Sequence, residues 1–328
     1  MTFGSDFSGK TILVTGGSGA IGSHVIRQFP DAKEVIVVDN LSSGTLAYAP
    51  KADNLTLYVC DIRDGEKLDA IFRDHNVDVV IHLAAHFANQ NSVEFPTVDL
   101  AVNVAGTLNL LQRCHAKDAR FIYASSSCVY GQKTGPVTED LPIDDLHTPY
   151  AISKYSGELY TKFYADHYGM SCVVLRFFNN FGPYEAPGRY RNVIPNFVAR
   201  ALRGEPMVIT GTGEETRDFN YVENTAQAVR LATAQSLAAN QMFDVFNVGT
   251  GQQTRILDLA EKIKALTGGT APIDIKGARR DWDHTTSRCA DVAAITNKLG
   301  YKPTVSLDEG LERTVSWLQS NPELWRAQ

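Results

Sequence analysis

The sequence predicts an α/β protein: a doubly wound parallel sheet accompanied by a smaller mixed α/β domain. Three observations predict it. Short, almost wholly apolar runs alternate with helix-like stretches through the first half of the chain, the pattern of parallel strands covered on both faces. A glycine-rich turn at Gly16, Gly19 and Gly22 follows the first run and opens a helix. After residue 178 the composition turns to Gly, Pro and Arg in "NNFGPYEAPGRYRN", which marks the departure from the sheet.

In order along the chain, "TILVTG" (11–16) is a β-rich run ending in glycine, and residues 20–29 follow as an amphipathic helix. "EVIVVD" (34–39) and "LTLYVCD" (55–61) are the next strands, then a helix over 65–75. "VDVVIHLAA" (77–85), a helix over 97–117 and "ARFIYASSS" (119–127) continue the alternation. In "HTPYAISKYSGELYTKFYADHYG" (147–169), Thr148 caps a helix, Pro149 suits its first turn and Gly169 closes it. "CVVLRFF" (172–178) is a further buried strand, and the chain returns to the sheet at "FDVFNVG" (243–249). This organisation assigns 1–178 plus about 221–250 to the sheet domain. The segments of about 179–220 plus 251–328 then form a discontinuous second domain.

The composition narrows the function classes. Of 328 residues, 44% are hydrophobic and 21% charged, ordinary for a soluble globular chain of enzyme size. The formal net charge of −6 disfavours a nucleic-acid binder, which is usually basic. No apolar run approaches the ~18–20 residues of a membrane span, and "MTFGSDFSGK" lacks the basic and apolar regions of a signal peptide. The five cysteines, Cys60, Cys114, Cys128, Cys172 and Cys289, are scattered and form no CxxC pair. Free thiols in a reducing cytoplasm, and no metal site, are the expectation.

The chemistry begins at "TGGSGAIGSH" (15–24). Glycines let the backbone approach a pyrophosphate, and a helix N-terminus offers N–H donors and a favourable dipole. The turn therefore predicts a Rossmann-type nucleotide site built from Gly16, Gly19, Ala20, Ile21 and Gly22, although a tight strand–helix turn has the same pattern. Asp39 ends the next strand, where a carboxylate accepts from an adenosine ribose and repels a 2′-phosphate, so NAD is favoured over NADP. By itself Asp39 is equally a strand-end turn residue. In "CDIRD", Asp61 and Ile62 stand where an adenine edge is met, or in a plain turn. Leu83, Ala84 and Ala85 end the fourth strand, the two alanines being the small residues that close packing on a cofactor needs, and stacked alanines also suit a core. Tyr150 and Lys154, four apart, share one helix face. A tyrosine near its reference pKa of about 10 is a poor base at neutral pH, and a nearby ammonium is expected to lower it. The pair then exchanges a proton with an alcohol or sugar hydroxyl. On a surface helix the same spacing is an ordinary solvated pair.

The chain resembles the extended short-chain dehydrogenase/reductase superfamily, in its nucleotide-sugar epimerase/dehydratase branch. The motifs that carry the resemblance span nearly the whole chain, in the family's order: "TGGSGAIGSH", "VVDNLSSG", "CDIRD", "HLAA", "VNVAGTLNLL", "YASSSCVYG", "PYAISKYSGE", "LRFFNNFGP", "VIPNFVARALRGEP" and "GTGEETRDFNYVEN". They are closest to those of UDP-hexose 4-epimerases. The resemblance implies a catalytic set of Ser126, Tyr150 and Lys154. Ser126 bonds the substrate hydroxyl and relays its proton, Tyr150 is the base, and Lys154 holds the nicotinamide ribose. Asn40, Ser42, Gly44, Asn103, Ser125 and Phe178 are implied on the cofactor side. Asn179, Asn192, Val193, Val208 and Arg217 are implied on the nucleotide-sugar side, with Arg217 at the pyrophosphate. In "GARRDWDHTTSRCAD", which departs from the family's commoner pattern, Arg280 is the second phosphate arginine, in competition with Arg279 and Arg288. Cys289 is implied beside the sugar C2 substituent, where a small residue admits an N-acetyl group.

In the same branch, 4,6-dehydratases resemble one another in an Asp–Glu pair after the catalytic serine, and decarboxylases keep an acid at the second position. This chain has Ser127 and Cys128 there, so a 4-epimerase acting through a transient 4-keto sugar is the expected activity. A dehydratase, decarboxylase or reductase of the superfamily is the alternative, and a non-catalytic NAD-binding scaffold or redox sensor is the reading from another class. The resemblance further implies a homodimer joined through the helices at 97–117 and 148–168.

Overall fold

The structure, a computed structural model, describes residues 6–239, 241–279, 283 and 285–326. Seven strands form one sheet: β1 (Thr11–Thr15), β2 (Glu34–Asp39), β3 (Leu55–Val59), β4 (Val79–His82), β5 (Arg120–Ser126), β6 (Cys172–Phe177) and β7 (Phe243–Val248). Their spatial order is β7-β6-β5-β4-β1-β2-β3, and every pairing is parallel. The chain moves outward from β1 in one direction, then restarts at β4 and moves outward in the other. The crevice at the carboxyl ends of β1 and β4 is the place where such sheets bind ligands.

The strands β1, β2, β4, β5 and β6 are buried on both faces because alternate side chains serve different helix layers, whereas the edge strand β3 is partly exposed. Ile12, Val14, Val35, Val37, Val79 and Ile81 pack with α1 (Ala20–Ile26) and with α6 (Val222–Ala238) through Ala226 and Val229. Leu13, Ile36, Val38, Val80 and Phe121 pack on the other face. Their partners are α2 (Gly65–Asp74), α3 (Thr107–Lys117) and α4 (Pro149–Tyr168), through Leu68, Ile71, Leu110, Leu111 and Tyr164. A separate apolar cluster gathers α5 (Val193–Leu202), α7 (Ile256–Leu266) and α8 (Leu307–Ser320) around short strands Met207–Ile209 and Phe219–Tyr221. Among the described residues, no helix is long and apolar enough to cross a membrane.

Two elements differ from their sequence expectation. The helical stretch expected over 97–117 changes pitch: α-helical Pro96–Leu100 leads into a π-helical turn, Ala101–Gly106, before α3 resumes. The turn sits where Gly106 meets Ile62 so closely that an added Cβ would lie 2.6 Å from its Cδ1. β4 ends at His82 rather than at residue 85, because the chain turns out of the sheet there and Leu83–Ala85 form part of a cleft wall.

Candidate active site

A cleft of about 1430 Å³ runs across the carboxyl ends of β1, β4 and β5 and continues along α5 and the short strands beyond it. Its floor at β1 is the glycine turn. Gly16 has φ +70°, and a Cβ there would lie 2.7 Å from the Ala84 nitrogen. A Cβ on Gly22 would lie 2.1 Å from the Gly16 carbonyl oxygen, so only glycine lets α1 start this close to the turn. The backbone left bare is a cradle that a pyrophosphate fits. Asp39, buried at the end of β2, accepts from the Ser18 N–H at 3.0 Å and the Leu41 N–H at 2.8 Å, which fixes its carboxylate at the rim.

Gly16, Gly19, Ala20, Ile21, Gly22, Asp39, Asn40, Ser42, Asp61, Ile62, Leu83, Ala84, Ala85, Ser125 and Phe178 all line the cleft. Gly44 and Asn103 do not. Gly44 instead packs against the Ser18 carbonyl, where its own Cβ would lie 2.5 Å from the oxygen. Asn103 is buried in the π-helical turn. It accepts from the His86 N–H at 2.8 Å and donates to Asp99 at 2.8 Å and Ser153 at 3.2 Å, bracing the wall from behind. Asp61 is gripped by Arg63 through two bonds of 2.8 Å and by Asn40 at 2.9 Å. The Arg63 guanidinium holds its carboxyl well below the usual carboxylate range, despite burial.

The catalytic candidates meet at the end of β5. Thr148 caps α4 by accepting from the Ala151 N–H at 3.2 Å, and Pro149 occupies the first turn. Tyr150, Lys154 and Glu158 then fall on the inward face one turn apart, all buried. Ser126 ends β5, and its hydroxyl caps the turn Ser127–Tyr130 by accepting from the Cys128 N–H at 3.2 Å. Ser126, Ser127, Cys128, Tyr150 and Lys154 share the cleft wall. The Lys154 ammonium donates to the Ala124 carbonyl at 2.9 Å and lies 5.8 Å from the Tyr150 ring centre.

The electrostatics correct one expectation. Tyr150 is pushed up rather than lowered, by burial first and then by Cys128 and Asp99, with only a hydrogen bond to Ser126 pulling the other way. Burial of the phenol outweighs any help from the ammonium, and the same burial pulls Lys154 down to about 8. The spacing of Tyr150 and Lys154 was legible, but their desolvation was not.

Behind this wall lies a buried network that the sequence reading missed. Glu158 accepts from the Ser125 hydroxyl at 2.5 Å and receives Arg176 through contacts of 2.7 and 3.0 Å. Arg176 also donates to the Tyr130 hydroxyl at 2.9 Å, which donates to Asn247 at 2.7 Å. The signal was present, since Glu158 repeats the four-residue step from Tyr150 to Lys154. The strap Tyr184–Arg191 was read as a departure from the sheet, yet Gly188, Arg189, Tyr190 and Arg191 also line the cleft. Glu94 holds it through Arg189 at 2.9 Å and Tyr190 at 2.7 Å.

The far half of the cleft carries Asn179, Asn192, Val193, Val208 and Arg217. Asn192 stands at the N-terminus of α5, anchored on buried Glu185 by bonds of 3.1 and 3.0 Å. Arg217 is in register with Arg288 on the parallel strand Ser287–Ala290, and its guanidinium lies 3.6 Å from Asp283. Arg279 lines the cleft paired with Glu215 at 2.7 Å. Arg280 lies outside the described residues. Cys289 is not on the cleft wall. Side chains alternate along a strand, so Arg288 faces the cleft and Cys289 turns into the interior toward Asp218. Cys289, implied beside the sugar C2 substituent, thus lies behind the cleft wall rather than on it. Among the described residues, no group of three or more His, Cys, Asp or Glu side chains is placed to hold a metal ion.

The family model "NAD dependent epimerase/dehydratase family" matches residues 12–249. A solved structure of an epimerase from the methanogen Methanothermobacter thermautotrophicus superimposes with a TM-score of 0.92 at 42% identity, covering 98% of this chain and 95% of that one. The UDP-glucose 4-epimerase of Thermotoga maritima, solved with UDP-glucose, gives 0.88 at 36% identity, covering 95% and 99%. A putative UDP-glucose 4-epimerase of Methanocaldococcus jannaschii is 36% identical over 321 residues, 94% of this chain and 99% of its own.

Proposed function

The chain belongs to the NAD-dependent epimerase/dehydratase family, and from that membership we propose that it inverts C4 of a nucleotide-diphosphate sugar, with NAD as its cofactor. The observation that carries this reading is the wall at the end of β5. Ser126, Tyr150 and Lys154 converge there, and the next two residues along it, Ser127 and Cys128, carry no carboxyl group. Eliminating water across C5–C6 needs an added acid and base at that place, whereas exchanging one proton at the C4 hydroxyl needs only the three groups present.

The glycine turn and the N-terminus of α1 hold the cofactor's pyrophosphate, and Asp39 takes the adenosine ribose. When bound, NAD supplies the acceptor and later donor of the C4 hydride, and its positive ring favours the Tyr150 phenolate that burial opposes. Ser126 orients the C4 hydroxyl and Tyr150 takes and returns its proton. Lys154, fixed on the Ala124 carbonyl, sets the charge beneath them. The sugar's diphosphate lies between the N-terminus of α5 at Asn192 and Val193 and the Arg217 guanidinium.

Incubation of the purified protein with UDP-sugars, followed by NMR of the products, tests the reading. A C4-inverted sugar with no net change in NADH supports it. A 4-keto-6-deoxy product or released carbon dioxide contradicts it, and NAD retained with no turnover across the panel favours a scaffold.

We infer, further, that residues 1–178 plus about 221–250 form the cofactor domain and the remainder the sugar domain, and that two chains pair through α4. Ile152, Leu159, Tyr160 and Phe163 on that helix, with Val98 and Leu100 beside it, are exposed apolar side chains that a partner helix pair would bury. The free cysteines fit a reducing cytoplasm.

A further inference from the structure

Of the arginines in the cleft, Arg288 is distinctive. Its side chain is buried, with 8% of the residue exposed, and among the described residues no carboxylate lies within 4 Å of its guanidinium. Arg217, Arg279, Arg203, Arg189 and Arg63, by contrast, face Asp283, Glu215, Glu205, Glu94 and Asp61, while Arg191 and Arg200, bonded to the Ser43 and Pro206 carbonyls, are partly exposed rather than buried. The Arg288 guanidinium donates to the Gly131 carbonyl and, at 2.9 Å, to the Thr285 hydroxyl, while its Nε has no hydrogen-bond partner. A buried cation without a counter-charge is costly, so this arrangement calls for an anion from outside the chain.

The direction in which Arg288 points identifies that anion. Arg217 and Arg288 are register partners and both reach Thr285, but only Arg288 goes on to bond the Ser126–Gly131 turn. Arg217 turns to the Thr285 carbonyl at 3.1 Å and to Asp283. Arg288 turns to the Ser126–Gly131 turn, bonding Gly131 and lying 3.9 Å from the Cys128 sulfur. Cys128 is two residues past Ser126 and close enough to Tyr150 to act on it electrostatically. Arg288 is therefore on the side of the cleft where C4 is handled. In a pyranose the diphosphate leaves from C1, across the ring from C4, whereas the C6 group hangs on C5, the neighbour of C4.

We propose that Arg288 receives a carboxylate at C6 of the sugar, so that the substrate is a nucleotide-diphosphate hexuronic acid. With Nη2 committed to Gly131 and Thr285, the guanidinium keeps Nε as a donor without a partner inside the chain, and its unneutralised charge suits a carboxylate. The proposal rests on the nucleotide-sugar reading of the cleft but not on the identity of the reaction.

Its test is therefore binding, with turnover as a second readout. Calorimetric titration of the NAD-loaded protein with UDP-glucuronate, UDP-glucose and UDP compares ligands that differ at C6 or lack the sugar. The expected result is at least tenfold tighter binding of UDP-glucuronate than of UDP-glucose. In Arg288→Met the ratio of the two affinities falls to near one, and in Arg288→Lys it is partly restored. Equal wild-type affinities overturn the proposal. So does an Arg288→Met loss of the same size for all three ligands, which would assign Arg288 to the diphosphate. Binding of none of the three overturns it together with the nucleotide-sugar reading. Preferential binding of UDP-glucuronate without C4 inversion supports the Arg288 assignment while contradicting the epimerase reading.

Discussion

The Lys154 ammonium donates a 2.9 Å hydrogen bond to the backbone carbonyl of Ala124, two residues before Ser126. The base-bearing helix and the serine-bearing strand are thereby tied by a buried cation. Burial lowers Lys154 to about 8 from 10.5. Between those values the unfolded chain binds the proton that the folded chain has released, so this group adds stability as pH rises from about 8 to 10.5. The stability difference between wild type and Lys154→Met, measured by urea unfolding across that range, should rise with pH by up to a few kcal/mol. A flat difference would mean that Lys154 titrates normally.

Gly16→Ala should weaken NAD binding at least tenfold. The new Cβ would press on the Ala84 nitrogen at 2.7 Å and strain a backbone at φ +70°, displacing the wall on which the cofactor lies. Titration of the variant with NAD checks this, and unchanged affinity would contradict the cradle.

The Glu158–Arg176 pair is buried on both sides, so removing one charge strands the other. Glu158→Met and Arg176→Met should each cost about 3–5 kcal/mol, and the two changes combined should cost less than either. Chemical denaturation of all three variants decides this. Additive losses would show that the pair is not coupled.

Leu159→Lys with Phe163→Glu should convert a dimer into monomers, read as a halved mass by light scattering. Both side chains are about half exposed on α4, on a face that does not carry Tyr150 and Lys154. An unchanged mass would place the interface elsewhere or show that there is none.

Much of the sheet was legible because its signals are local. The runs at 11–16, 34–39 and 172–178 are apolar, short and bounded by turn residues, and they coincide with β1, β2 and β6 to within a residue. The four-residue step from Tyr150 to Lys154 was local as well. The structure was needed where an outcome depends on what lies across the cleft. Burial at the end of β5 reverses the expected direction for Tyr150. The phase of the short strand Ser287–Ala290, set by pairing with Thr216–Arg217 and Pro136–Val137, decides that Arg288 and not Cys289 faces the cleft. Asn103 lay in a motif read as contacting cofactor, but the π-helical turn points it at His86 and Ser153.

The most direct test of the central claim follows the hydrogen at C4. A UDP-hexose or UDP-hexuronate deuterated at C4, incubated with the NAD-loaded protein in ordinary water, should give the C4 epimer with deuterium retained at C4 by NMR and mass spectrometry. Tyr150→Phe should slow that conversion at least a hundredfold while leaving NAD bound. An epimer that has exchanged its C4 deuterium for solvent hydrogen, or a product altered at C6 in place of C4, would contradict the account.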